Sequence, residues 1–274
     1  MNHWLLPSST PMSLKRNVQA TIRGFHKLVA LREVPDKLAL YFHELEVSQY
    51  DIFSECINYW KSQGYRVVDA AGFLSGEGGK LLFISFDDNF KSWHRALPLL
   101  ETLGVKATFY VNTMPIRGKA GEAEIERFFD RIGHKGERVT LSEDEIREIA
   151  AAGHGIGCHS HSHFDLGSVP EDVAKTEIRI SKEILEDLLQ REVPDFSYPF
   201  GMRRNFTERL RDYCFEIGFE TICNAIPGRL HEAPCPRFIN RTGWDFTRTM
   251  PYNIDNMKID GRLFESFTGR SAVV

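Results

Sequence analysis

Three short stretches hold the residues that could do chemistry. The first is Lys80 to Phe90, KLLFISFDDNF, where an apolar run, Leu81-Leu82-Phe83-Ile84, leads into adjacent carboxylates, Asp87 and Asp88. The run reads as a buried strand. Neighbouring side chains on a strand point to opposite faces, so both carboxylates reach one site only where the chain turns at the strand end. Buried there, they require a cation, protons or a dense set of hydrogen bonds. A helix N-cap is the competing reading, because Asp is a favoured cap and a helical pattern follows. The second stretch, Gly155 to Leu166, GIGCHSHSHFDL, sets His159 and His163 four apart with His161 between them. Four-apart histidines share one face of a helical turn. With Asp88 they would make a two-His-one-carboxylate metal site with positions open for water and substrate. A polar loop rich in histidine by chance is the alternative. The third stretch, Phe196 to Gly201, FSYPFG, places Pro and Gly around an aromatic, a rigid turn whose backbone N–H groups can face a ligand.

The elements that must position these groups alternate along the chain. Lys37 to Glu44 reads as a strand ending in His43. Gln49 to Gly64 reads as an amphipathic helix with Ile52, Phe53, Cys56, Ile57 and Trp60 on one side, followed by a short strand over 65–68. The Asp87-Asp88 strand precedes a helix through Leu97, Leu100 and Leu103, and Val105 to Asn112 is again strand-like. Thr113 to Val139 is a long polar insertion with a short helix expected over 124–132; loops of this length inside a compact domain are usually functional or mobile. Ser142 and Glu145 form a capping box, and Gly153 stops the helix it opens. A long helix over 170–190, a strand over 195–198, a helix over 207–218 and strands over 219–224 and 237–241 complete the pattern. Strands alternating with helices argue an α/β fold with a parallel sheet and its chemistry at strand C-termini.

Composition excludes several classes. A net charge of −4 over 274 residues gives no case for nucleic acid as the main partner. The five cysteines are odd in number and contain no C-x-x-C, so no disulfide framework is expected. Cys158 beside His159 is read as a small buried residue rather than a thiol nucleophile. No run is long enough for a transmembrane helix, and no secretory signal is legible, so a cytoplasmic location is expected. Leu14 to Arg32 reads as a basic amphipathic helix, either packed with a solvated basic face or lying peripherally on an anionic membrane. Residues 1–36 are therefore set apart as an N-terminal extension, with residues 37–274 as the domain that holds the three stretches.

In this order the three stretches resemble the polysaccharide deacetylase family (NodB homology, carbohydrate esterase 4). Its [ST]-F-D-D-G motif matches Ser85-Phe86-Asp87-Asp88, with Asn89 in place of Gly. Its H-[ST]-x-x-H motif matches His159 to His163, and its P-[YF]-G motif matches Pro199-Phe200-Gly201. The resemblance implies an irregular (β/α)7-type barrel and a hydrolase acting on an acetylated amino sugar or glycan, lipid- or nucleotide-linked in one version. A non-sugar amidohydrolase and an inactive glycan-binding module are the alternatives. The implied roles are Asp88, His159 and His163 as ligands of one divalent metal, zinc by default with Co²⁺, Ni²⁺ or Fe²⁺ possible, and Asp87 as general base. The backbone N–H of Phe200 is the implied oxyanion donor, with Tyr198 and Trp244 near the substrate.

The family's general acid, a histidine in a late L-x-x-H motif, has no counterpart downstream. The pattern occurs early instead, as Leu40 to His43, as it does in the circularly permuted poly-N-acetylglucosamine deacetylases. His43 is therefore the expected acid and His231 the reserve. Ser197 stands where the family has an Arg; Arg237 is the expected substitute for orienting Asp87. Asn89 is expected to alter the turn after the carboxylates, since Asn adopts positive φ less freely than Gly.

Overall fold

The computed structural model describes residues 33–75, 78–229, 233 and 235–258. The basic helix expected over 14–32 and His231 lie outside these residues. Among the described residues nine strands form one parallel sheet: β1 (Lys37–Phe42), β2 (Arg66–Val68), β3 (Leu81–Asp88), β4 (Thr108–Val111), β5 (Gly155–Cys158), β6 (Asp195–Ser197), β7 (Thr221–Cys223), β8 (Phe238–Ile239) and β9 (Thr242–Gly243). The order is β8-β7-β6-β5-β4-β3-β1-β9, with β2 also paired to β3. Every pairing is parallel. All C-termini therefore point the same way, and β3, buried at each of its positions, carries the apolar run read from the sequence.

The sheet curls. Laid flat, β8 and β3 would lie five strand spacings apart, roughly 24 Å. Yet Arg241, two residues beyond β8, reaches Asp87 at the end of β3 at 2.7 Å. A separate interior cluster of Ala39, Leu81, Phe83, Tyr110, Cys223 and Ile239 draws its members from five different strands. The other faces pack against the helices, including Tyr50–Ser62 and Glu171–Leu189. Residues 238–243 join the two ends of the sheet, because β8 pairs with β7 and β9 pairs with β1. β1, β3, β4, β5, β6, β7 and the β8–β9 segment are thus the staves of the expected (β/α)7-type barrel. The first strand sits beside the last, so a residue at the end of β1 reaches the same mouth as one at the end of β3.

Helix boundaries follow local signals. The Ser142–Glu145 capping box is formed. The insertion contains a helix, Glu122–Ile132, closed by Gly133 in the left-handed region at φ 70°. Several short elements escaped the sequence reading, among them the helices Ala70–Leu74, Ser92–Arg95 and Met250–Asn256 and the two-residue strand β9. None is long enough to show a clear period.

Asn89 does not adopt the positive φ of a glycine; Asp88 does, at φ 91°. Asn89 is instead a fully buried strut. Its Nδ2 donates to the Asn112 carbonyl at 2.9 Å and its Oδ1 accepts from the Leu141 N–H at 2.8 Å. It ties the ends of β3 and β4 to the segment that closes the insertion. Asn89→Ala leaves a buried N–H and a buried C=O without partners, and is expected to cost about 1–3 kcal/mol in urea unfolding. A loss no larger than that of a surface substitution would show the strut to be redundant.

Candidate active site

Asp87 and Asp88 end β3, and the turn at Asp88 lets both carboxylates enter one cleft. The cleft has a volume of about 360 Å³ and is lined by His43, Asp87, Asp88, His159, His163 and Phe200, among others. His159 follows β5, Tyr198 follows β6 and His43 follows β1, so each comes from a strand C-terminus. The helix N-cap reading of the Asp pair is not realised; the next helix, Ser92–Arg95, starts after Lys91.

The histidines are not brought together by a helical turn. Ser160 and His163 take left-handed backbone, φ 61° and 59°, and fold the loop back on itself. Of the five non-glycine residues with positive φ among the described residues, four are Asp88, Ser160, His163 and Phe200. Such conformations cost free energy and persist only where their surroundings over-determine them. Here the surroundings do so. Asn112 Nδ2 donates to the carbonyls of His159 and Ser160, Glu177 accepts the Ser162 N–H at 2.6 Å, and Arg131 donates to the Ser162 carbonyl. His161 turns away and meets Thr113 Oγ1 at 2.8 Å.

Asp88 Oδ1 lies 3.5 Å from His159 Nε2 and 3.2 Å from His163 Nε2. Among the described residues these three form the group whose possible ligand atoms all lie within 4.8 Å of one another. Donors about 2.1 Å from a tetrahedral metal are separated by roughly 3.4 Å, so the spacing fits such an ion. His159 Nδ1 faces the Ser197 carbonyl at 2.7 Å, and donating to it leaves the Nε2 lone pair facing Asp88. Burial disfavours a charge on Asp88, but the two histidines beside it reverse that and hold its carboxyl well below the usual range. Burial lowers the His163 pKa despite Asp88. A buried carboxylate oxygen without a hydrogen bond, facing two imidazole nitrogens, is the donor set of a cation site.

Asp87 is held differently. Arg241 Nη1 and Nη2 donate to its two oxygens, each at 2.7 Å. The same guanidinium donates to Ser85 Oγ, Ser197 Oγ and the Asn224 carbonyl, and lies between the rings of Tyr41 and Tyr110. Burial alone would raise the Asp87 carboxyl; the Arg241 charge and hydrogen bonds outweigh it and hold the pKa below the ordinary carboxylate value. Ser197 is small enough to bridge the pair, accepting from Arg241 at 2.7 Å and donating to Asp87 at 3.3 Å.

Two expectations need correction. Arg237 does not orient Asp87; it precedes β8, at the N-terminal end of the sheet, and stacks on Phe215 at 3.5 Å. Arg241, at the other end of the same strand, takes the role, and only its place after a short apolar strand could have marked it. Trp244 does not line the cleft. Side chains alternate along β9, so Trp244 faces the helix layer beside Phe42. Cys158 is buried, and burial pushes its thiol up to about 12, as a core residue requires. Tyr198 lines the cleft floor, its hydroxyl donating to the Gly201 carbonyl at 3.2 Å. Gly201 is required there: a Cβ would lie 2.4 Å from the Ala225 nitrogen. Phe200 is half-exposed at the rim, its ring 4.8 Å from that of His163.

The Asp87–Arg241 pair makes a pH-dependent prediction. With its folded pKa below the unfolded value, Asp87 contributes stability above about pH 4 that is lost as pH falls through the folded pKa. Arg241→Met leaves a buried carboxylate without a counter-charge and is expected to cost about 3–5 kcal/mol at pH 7 in EDTA, measured by urea unfolding. The deficit should shrink toward pH 4, where the orphaned carboxyl takes up a proton. An equal deficit at both pH values would mean that packing, not charge, is lost.

Comparison with known proteins agrees with this architecture. The chain is similar to YxkH of Bacillus subtilis (strain 168), whose name assigns it to the polysaccharide deacetylases, with 28% identity over 150 residues, 54% of this chain and 46% of that protein. The chain therefore shares about half the length of that relative. The fold is shared with the Streptococcus pyogenes deacetylase PplD, solved with acetate, at TM-score 0.63 and 18% identity over 81% of this chain and 97% of that one. It is shared also with IcaB from Ammonifex degensii, at TM-score 0.60 and 20% identity over 81% and 96%. The model of the polysaccharide deacetylase family matches residues 75–222, which hold the Asp pair, the histidine loop and the Pro199 turn, and the chain belongs to that family.

Proposed function

We propose that this protein is a metal-dependent hydrolase that removes an N-acetyl group from an amino sugar or glycan, with residues 37–274 as its catalytic domain. One observation carries the reading: a buried, hydrogen-bond-free carboxylate oxygen faces two imidazoles, beside a second carboxylate held ionised by an arginine, in one cleft. Asp88, His159 and His163 would hold a divalent cation; zinc is the default for these donors, and Co²⁺, Ni²⁺ or Fe²⁺ suit them too. Such an ion supplies Lewis-acid polarisation of the acyl carbonyl and a lowered pKa for water.

The chain's own residues do the rest. Asp87, kept ionised by Arg241, takes the proton of the attacking water. The Phe200 N–H, presented by the left-handed turn, donates to the developing oxyanion. His43, exposed at the end of β1 and lining the cleft, delivers a proton to the leaving nitrogen as the C–N bond breaks. An amide leaving group is a poor one, so the acid matters. A lipid- or nucleotide-linked amino sugar is one substrate of this class. No helix among the described residues is long and apolar enough to cross a membrane.

Metal content and acetate release from N-acetylglucosamine oligomers test the reading together. Asp88→Asn should lose the metal. Asp87→Asn should keep it and lose acetate release by about 10²–10⁴-fold. His43→Gln should slow an acetamide far more than an activated aryl acetate, whose leaving group needs no proton. A protein that binds no metal with added Zn²⁺ or Co²⁺ and releases no acetate would overturn the assignment.

A further inference from the structure

The insertion over 113–139 brings a second polar group into the same cleft. His134 follows the helix Glu122–Ile132 and lines the cleft with Glu44, the residue after the proposed acid. The His134 ring is fixed in place. It meets Phe90 edge-on at 4.9 Å and Phe129 at 5.4 Å, and its backbone N–H and C=O bond to Phe129 and Arg138. Its Nε2 is buried without a hydrogen bond. The nearest charge is Glu44 Oε2 at 3.6 Å, beyond hydrogen-bonding range. A fixed, buried imidazole nitrogen thus sits in the cleft beside the partly exposed Glu44 carboxylate, too far from it for a hydrogen bond.

That arrangement suits a hydroxyl. A carboxylate only accepts, an imidazole nitrogen accepts or donates by tautomer, and a hydroxyl does both, so one hydroxyl or two adjacent ones can bridge the pair. Gly136 covers the pair closely: a Cβ there would lie 2.8 Å from His134 Nε2 and 3.4 Å from Glu44 Oε2. Its missing side chain leaves the two groups room to act. A buried polar atom such as His134 Nε2 that a ligand must satisfy discriminates strongly against analogues lacking the hydroxyl.

We propose that Glu44 and His134 form a hydroxyl-binding subsite that selects a sugar ring over a bare acetamide, and that the insertion exists in part to supply it. This rests on the deacetylase reading above and assigns its specificity. The probe is the trimer of N-acetylglucosamine, set against a small aryl acetamide. The readout is the ratio of kcat/KM on the trimer to kcat/KM on the acetamide, which does not depend on the fraction of active protein. Glu44→Ala and His134→Phe, the latter keeping an aromatic ring between Phe90 and Phe129, should each lower that ratio about tenfold. Gly136→Ala should lower it too, without removing either polar group. Trimer binding to the Asp87→Asn protein, measured by calorimetry, gives a second readout free of turnover, and the same substitutions on that background should weaken it comparably. A ratio unchanged within about twofold in both Glu44→Ala and His134→Phe, with acetate still released, overturns the subsite and keeps the deacetylase reading. Trimer binding that depends on Glu44 and His134, in a protein that releases no acetate, keeps the subsite and overturns that reading. No trimer binding to Asp87→Asn overturns the subsite.

Discussion

The buried ion pair between Asp87 and Arg241 is the constraint on which the rest of the site depends. Arg241 is fully buried, and its five donated hydrogen bonds reach β3, the end of β6 and the end of β7. A charge so deeply placed is tolerable only when every donor finds a partner. Satisfying it sets how far the sheet must curl. Residues 238–243 cross from β7 to β1, and the guanidinium between those two pairings points into the mouth of the barrel. The same contacts that close the barrel therefore hold one carboxylate ionised and in place.

Asp88, one residue on, is treated in the opposite way. Its neighbour accepts three hydrogen bonds, while one of its own oxygens has none. Two adjacent residues of the same type thus receive different environments. The proposed division of labour between a base and a metal ligand would need that difference: the base would have to stay oriented and able to take a proton, and the ligand to present an unshared lone pair. The left-handed backbone at Asp88, Ser160, His163 and Phe200 is the structural cost of bringing these groups to one point. Asn89, Asn112, Glu177 and Arg131 hold the strained turns from outside the cleft.

The cleft is assembled from both ends of the chain and its middle. β1 brings His43 and Glu44, the β3 turn brings the carboxylates, the insertion brings His134, and the segment after β8 brings Arg241. Reaction and recognition are separable in such a layout. Strand ends, rigid in a parallel barrel, position the groups proposed to react, while an insertion between strands can vary without disturbing them.

The sequence alone determined the features that are local. A buried apolar run ending in two carboxylates, histidines four apart, a capping box and a Pro-aromatic-Gly turn each lie within a few residues, and their residue types mark the chemistry, although the histidines meet through a left-handed loop and not the helical turn their spacing suggests. The motif order was likewise legible, as was the early histidine, since an Leu40-to-His43 pattern needs no partner to be seen. Tertiary structure decided what joins distant residues. Arg241 and Asp87 are 154 residues apart, and the sequence reading expects Arg237 in the role; only the direction of a parallel strand, with the mouth at its C-terminal end, selects between the two arginines. Trp244 was excluded from the cleft by the alternation of side chains on a strand too short to be recognised. The His134–Glu44 pair was invisible for the same reason: neither residue carries a signal until the barrel brings the insertion against the end of β1.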